Sequence, residues 1–121
     1  MTKERALKSP DVFTNRNGAL ELGDIAIFTG GPAELDSRIA ALAGGNVPAL
    51  VLTTNVDQTV RYLSDEIARR AFRRADLVTL DGAPVVALAR LLGIRSAQRN
   101  TGADLLVRQS ELSATTGHSV A

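Results

Sequence analysis

A chain of 121 residues is long enough for one globular domain and should bury about two thirds of the surface that its unfolded form exposes. Its hydrophobic share is 45 % with only 3 % aromatic residues, so the core must be built from Ala, Val, Leu and Ile. A formal net charge of +1 excludes nucleic-acid binding driven by an overall basic excess, and the absence of cysteine excludes disulfides and thiolate metal sites. With no signal peptide and no apolar stretch of about 18 residues, we expect a soluble, cytoplasmic protein.

The first elements are set by glycine and proline. Residues 1–20 are polar and predict a flexible leader. Asp24–Phe28 is a strand candidate, and Gly30–Gly31 forms the turn into a helix that begins near Pro32 and ends at Gly44–Gly45. The diglycine lacks the Lys-Ser/Thr of a phosphate-binding P-loop, so we interpret it as a turn.

Strands and helices then alternate. Ala49–Thr53 is a continuously apolar strand, the pattern of a strand covered on both faces. Helical spacing returns over Val56–Ala75, with a possible break near Ser64–Asp65. Asp76–Leu80 is the third strand, and Ala83–Leu92 is the next helix.

The last elements complete the pattern. Thr101 and Asp104 resemble a capping box that opens a helix through about Leu112. Gly117 ends it, and His118–Ala121 is typical of the start of a further strand. This alternation predicts an α/β fold with a Rossmann-like parallel sheet and flanking helices. Because the pattern stops as a strand begins, we expect residues 21–121 to be the amino-terminal part of a longer domain that is active only at full length. The alternative is that the register of the last two predicted elements is wrong.

The Asp81–Gly82 pair stands at the carboxyl end of the third strand, where open α/β sheets build their sites. As a structural residue, Asp81 would cap the following helix and interact with its positive end. As a catalytic residue, it would accept a proton from a hydroxyl nucleophile. Gly82 permits a sharp turn and close approach of a ligand to the backbone.

Two further polar groups have the same two interpretations. Thr53 and Asn55 follow the second strand, where they are suited to capping a helix or to holding sugar hydroxyls. Arg99 precedes the cap at Thr101. It is either a surface charge paired with Asp104 or a guanidinium clamp for a diphosphate.

A basic stripe at helical spacing is best explained as a solvated helix face; its members are Arg69, Arg70, Arg73 and Arg74. An anionic membrane surface is the alternative, since the absence of interleaved aromatic residues disfavours nucleic acid. His118 is the only histidine and predicts no metal site.

Three blocks together resemble the WecG/TagA/CpsF glycosyltransferases, glycosyltransferase family 26, which build teichoic-acid linkage units, enterobacterial common antigen and exopolysaccharides. The blocks are Leu52–Asp57, Ala75–Gly82 and Arg99–Leu106, and the likeness runs from about Leu20 to Ala121. Thr54 and Val56 depart from the residues frequent in the family, which affects only the local turn.

The resemblance implies an inverting, metal-independent transfer of an N-acetylmannosamine-type sugar, without a cofactor, from a UDP-sugar donor to N-acetylglucosamine on a polyprenyl diphosphate. It implies Asp81 as the general base, Thr53 and Asn55 beside Gly82 in the same pocket, and Arg99 as a phosphate contact. It also implies that the full-length protein contacts the membrane surface. A non-catalytic α/β module that binds a nucleotide or a partner protein is the alternative. Homo-oligomerisation is a further expectation, because an unpaired strand or uncovered helix face favours association.

Overall fold

A computed structural model describes residues 13–45, 47–117 and 119–120. Within these ranges the elements follow in the order β1 (Phe13–Arg16), β2 (Ala19–Leu22), β3 (Ile25–Ile27), α1 (Pro32–Ala43), β4 (Val51–Thr54), α2 (Val56–Ser64), α3 (Glu66–Arg74), β5 (Leu77–Leu80), α4 (Ala83–Leu91) and α5 (Gly102–Thr116). The predicted α/β class is confirmed. None of these helices is long and apolar enough to cross a membrane.

The predicted break in the long helical segment is present. Asp65 lies between α2 and α3 in an extended conformation, and its carboxylate accepts a hydrogen bond from the Ile67 amide at 2.9 Å. Asp65 therefore stands at the end of α2 and caps the start of α3. At the chain's end, His118 and Ala121 lie outside the described residues, and Ser119 and Val120 are not in a strand.

An antiparallel sheet precedes the alternating part, with β2 paired between β1 and β3. Residues 13–20, which the sequence predicts as part of a flexible leader, instead form β1 and the start of β2. Residues 1–12 lie outside the described residues. The overlooked signal is Asn17–Gly18, which turns the chain between β1 and β2 with φ of 55° and 88°. Asn-Gly is typical of two-residue hairpin turns because both positions require positive φ.

β4 and β5 form the parallel sheet that the alternation predicts. The predicted strand Asp24–Phe28 does not join the parallel sheet along its length. Its residues Ile25–Ile27 form β3, which pairs with β2 in the antiparallel sheet. Only Phe28 continues beside β5, where it forms a parallel bridge with Thr79 and donates its amide to the Val78 carbonyl at 2.7 Å. β5 thus lies between Phe28 and β4.

Side-chain alternation along β5 separates two hydrophobic cores. Val78 and Leu80 face the antiparallel sheet and α4, in a core that also includes Tyr62 and Phe72. Leu77 faces the other way, in a second core made with residues of α1 and α5: Leu35, Ile39 and Leu105. Because alternate strand residues share a face, Thr79 belongs to the α1–α5 side. Both faces of β5 are therefore covered, whereas Val51, Leu52 and Thr53 of β4 are only partly buried.

A polar cluster ties the antiparallel sheet to α2 and α3. The Tyr62 hydroxyl donates to Asp24 at 2.8 Å, and Arg73 donates to the same carboxylate at 3.2 Å. The bond from Tyr62, followed by the charge and bond of Arg73, holds the pKa of Asp24 below its ordinary value. Burial, and then the Asp24 carboxylate, raises the pKa of Tyr62.

We expect Tyr62→Phe to lower the free energy of unfolding near neutral pH by about 1 kcal/mol, the usual size of one hydrogen bond and reduced by the solvent exposure of Asp24. Since the folded-state pKa of Asp24 is lowered, its contribution is present above the unfolded-state pKa and is lost as pH falls through the folded-state value. The difference between the two proteins should therefore shrink in acid. Urea unfolding from acidic to neutral pH measures it, and a constant difference would contradict this account.

Candidate active site

The ends of the two parallel strands bring the predicted site residues to one edge of the sheet. Thr53 pairs in register with Thr79, and Thr54 pairs with Leu80. Beyond the strands the pairing continues, because the Asp81 amide donates to the Thr54 carbonyl at 2.8 Å. The segments Thr53–Asn55 and Asp81–Gly82 thus lie side by side, and we call this region the carboxyl edge.

The Asp81 carboxylate does not cap the helix that follows it. Gly82 is the N-cap of α4, and no side chain closes that cap. Instead, Oδ2 of Asp81 accepts a hydrogen bond from the Gly102 amide at 3.3 Å, at the start of α5. The side chain is 24 % exposed. The carboxylate is therefore held by a different helix from the one predicted and remains open to a ligand.

Thr53 and Asp81 both lie next to the position that a Gly102 side chain would occupy. A Cβ built on Gly102 would lie 3.4 Å from Oγ1 of Thr53 and 3.7 Å from Oδ2 of Asp81. The missing side chain at position 102 leaves a gap flanked by a hydroxyl and a carboxylate. Gly102 belongs to the Arg99–Leu106 block but was not predicted as a site residue; its position directly after the cap Thr101 was the available signal.

Asn55 is confirmed as a helix cap. Its Oδ1 accepts a hydrogen bond from the Gln58 amide at 2.9 Å, and its carbonyl accepts one from the Thr59 hydroxyl at 2.9 Å. A Cβ on Gly82 would lie 3.4 Å from Cβ of Asn55, so the two loops are in close contact. The capping bond uses only the amide oxygen, which leaves the amide nitrogen as a donor at the carboxyl edge.

Arg99 pairs with Asp81 and not with Asp104, the partner considered in the sequence analysis. Its Nε donates to the Asp81 carbonyl at 2.9 Å and lies 4.0 Å from Oδ1 of the same residue. The side chain is 54 % exposed. The Asp104 amide instead donates to Oγ1 of Thr101, which closes the predicted cap at 3.1 Å. Because Nε of Arg99 donates to the Asp81 carbonyl, the two terminal amino groups of the guanidinium remain as donors beside the Asp81 carboxylate.

The starts of several helices add positive potential at this edge. α2 begins one residue after β4, α4 begins directly after Gly82, and α5 begins at the Gly102 amide, which contacts Asp81. Helix N-termini carry partial positive charge and favour anions. Together with Arg99 they suit a substrate that carries phosphate. Among the described residues, no group of three or more His, Cys, Asp or Glu is placed to hold a metal ion.

Most of the basic stripe is engaged in contacts within the fold. Arg69 donates to Glu66 and to the carbonyls of Tyr62 and Leu63, Arg70 lies 3.5 Å from Glu66, and Arg73 pairs with Asp24. These contacts agree with the interpretation of a solvated face. They place the stripe on α3, away from the residues of the carboxyl edge.

Comparison with known proteins gave one match. Residues 21–121 match the family model described as Glycosyl transferase WecG/TagA/CpsF family. The matched range includes every residue named above at the carboxyl edge. No curated protein and no solved structure matched the chain.

Proposed function

This chain belongs to the Glycosyl transferase WecG/TagA/CpsF family, and we propose that it transfers an N-acetylmannosamine-type sugar from a UDP-sugar to N-acetylglucosamine carried on a polyprenyl diphosphate. The transfer is inverting and requires no metal. Its product is a linkage unit for teichoic acid or exopolysaccharide. Because such an acceptor is anchored in lipid, we place the protein in the cytoplasm at the inner face of the plasma membrane, as a peripheral protein and a candidate homo-oligomer.

One observation supports this proposal most directly. The Asp81 carboxylate does not cap the helix that follows it, and it lies close to Arg99 and to the Thr53 hydroxyl. Asp81 accepts one bond from the Gly102 amide, and Arg99 is fixed on the Asp81 carbonyl. Thr53 flanks the same glycine. A carboxylate, a hydroxyl and a guanidinium on one edge are the groups that sugar transfer from a diphosphate requires.

The proposed step is a single displacement. Asp81 takes the proton of the acceptor hydroxyl as that oxygen forms a bond to C1 of the donor sugar. The bond from C1 to the phosphate oxygen breaks on the opposite face, and UDP leaves with the electron pair. Thr53 and Asn55 hold sugar hydroxyls, while the terminal amino groups of Arg99 bind the departing diphosphate. The backbone at Gly82 lets the substrate approach closely.

The direct test is a transfer assay with the full-length protein, UDP-N-acetylmannosamine and a short polyprenyl-diphosphate N-acetylglucosamine. We expect a disaccharide product in the presence of EDTA, with NMR showing an inverted anomeric configuration. UDP binding without any product would indicate the non-catalytic module considered in the sequence analysis. Activity that EDTA abolishes would contradict the metal-independent mechanism.

A further inference from the structure

Asn100 is a buried polar residue with no assigned role, next to Arg99. It is 2 % exposed. Its backbone amide donates to the Leu80 carbonyl at 2.7 Å, and its side-chain Nδ2 donates to the Gly30 carbonyl at 3.0 Å. Since only the amide nitrogen can donate to a carbonyl, these partners fix the orientation of the side chain. One residue therefore joins the end of β5 to the turn that precedes α1.

Asn100 is the centre of a short segment, Gln98–Gly102, that crosses the ends of the strands; we call it the rim segment. At its start the Gln98 amide donates to the Thr29 carbonyl at 3.0 Å. At its end the Gly102 amide donates to the Asp81 carboxylate at 3.3 Å. Asp81, the proposed base, thus contacts the rim segment through two of its residues, Arg99 and Gly102.

The diglycine turn packs directly against this segment. A Cβ on Gly31 would lie 2.9 Å from the side-chain amide of Gln98, so a larger residue there would displace the Gln98 side chain. The bond from Asn100 to the Gly30 carbonyl fastens the same turn from the other side. The turn and the rim segment are therefore positioned as one unit.

The polar side chain of Asn100 is not explained by packing. Its Oδ1 is buried and has no hydrogen-bond partner in the described part of the chain. An unpaired buried acceptor costs stability, whereas an apolar side chain of similar size would avoid that cost. What the residue contributes is the donor Nδ2 and the bond to Gly30.

We propose that Asn100 is a positioning residue that holds the rim segment, and through it Arg99 and the Gly102 amide, against Asp81. The catalytic part of this proposal rests on the proposed function. Without the Nδ2 bond, the rim segment keeps its backbone bonds to Leu80 and Thr29 but loses its side-chain bond to the Gly30 carbonyl. Arg99 and the Gly102 amide then move more freely relative to the carboxylate.

The test compares Asn100→Ala with Gln109→Ala. Gln109 is a matched control because it is also a buried amide, 6 % exposed, that donates from its side chain to Asp36 at 3.1 Å. It lies two turns along α5 from Gly102, and its side-chain bond goes to Asp36, outside the rim segment. Hydrogen exchange of the Gly102 amide and of the Arg99 Nε–H is measured by NMR. Each variant is measured at the same number of degrees below its own thermal unfolding midpoint. Steady-state kcat and KM are measured in parallel.

In Asn100→Ala we expect both exchange rates to rise at least about tenfold, because the rim segment opens more easily. We also expect kcat to fall at least about tenfold with a nearly unchanged donor KM, because a small misplacement of catalytic groups slows the reaction. Gln109→Ala should lower the thermal midpoint without either effect. Equal exchange rates in the two variants, or equal losses of kcat, would overturn the proposal. A full-length wild-type protein without transferase activity would refute the proposed function, and the exchange comparison would still decide whether Asn100 positions Arg99 and Gly102.

Discussion

Asp81→Asn is expected to lower kcat for sugar transfer by about 10²–10⁴-fold, the range that a general base contributes. The amide oxygen of the variant still accepts the bond from Gly102, and Arg99 still donates to the backbone carbonyl. The local geometry is therefore kept, but an amide cannot take the proton of the acceptor hydroxyl. We expect unchanged UDP affinity and a thermal midpoint close to that of the wild type. Steady-state kinetics, calorimetric UDP titration and thermal unfolding measure the three quantities.

The same strand offers a matched control at its other end. Asp76 precedes β5, and its carboxylate accepts a hydrogen bond from the Leu50 amide at 2.8 Å. Asp76→Asn removes one negative charge and keeps an oxygen acceptor, as Asp81→Asn does. Its activity should stay within about twofold of wild type, the usual range for a surface substitution. Near-normal turnover in Asp81→Asn, or an equal loss in both variants, would remove Asp81 from the mechanism.

Much of the fold was predictable because local signals and tertiary contacts agree. The apolar spacing and the diglycine predicted α1, and the parallel pair follows from two continuously apolar strands. Asp65 marks the junction of α2 and α3, and Thr101 caps α5 as its sequence suggests. At the caps of Asp65 and Thr101, the side chain bonds to a backbone amide within three residues, so the local sequence is enough to predict the helix start.

The rest depends on contacts between distant residues. Asp81 and Gly102 are 21 positions apart, and nothing in the Asp81–Gly82 pair indicates that the carboxylate bonds to a later helix and not to its own. Asn100 reaches Gly30 across 70 positions, so its role was not visible in the sequence. The convergence on one edge was predictable because parallel strands end together. The partners at that edge required coordinates.

Arg99→Gln is expected to lower kcat by about 10²-fold, the usual cost of removing one donor that stabilises developing charge. Glutamine cannot provide the forked, charged donors that bind a diphosphate. UDP should therefore become a weaker product inhibitor, while inhibition by uridine, which has no phosphate, stays the same. The structure supports this assignment because Nε is used by the Asp81 carbonyl and the side chain is 54 % exposed. Inhibition constants for UDP and uridine give the required comparison.

A second arginine of the same loop serves as the control for charge. Arg95 is exposed and precedes the rim segment, so Arg95→Gln removes an equal charge without altering a contact of Asp81. We expect it to leave UDP inhibition unchanged. The acceptor also carries a diphosphate, which makes its KM informative. If Arg99→Gln raises the acceptor KM and leaves UDP inhibition unchanged, the guanidinium binds the acceptor, and the proposed stabilisation of the departing UDP is wrong.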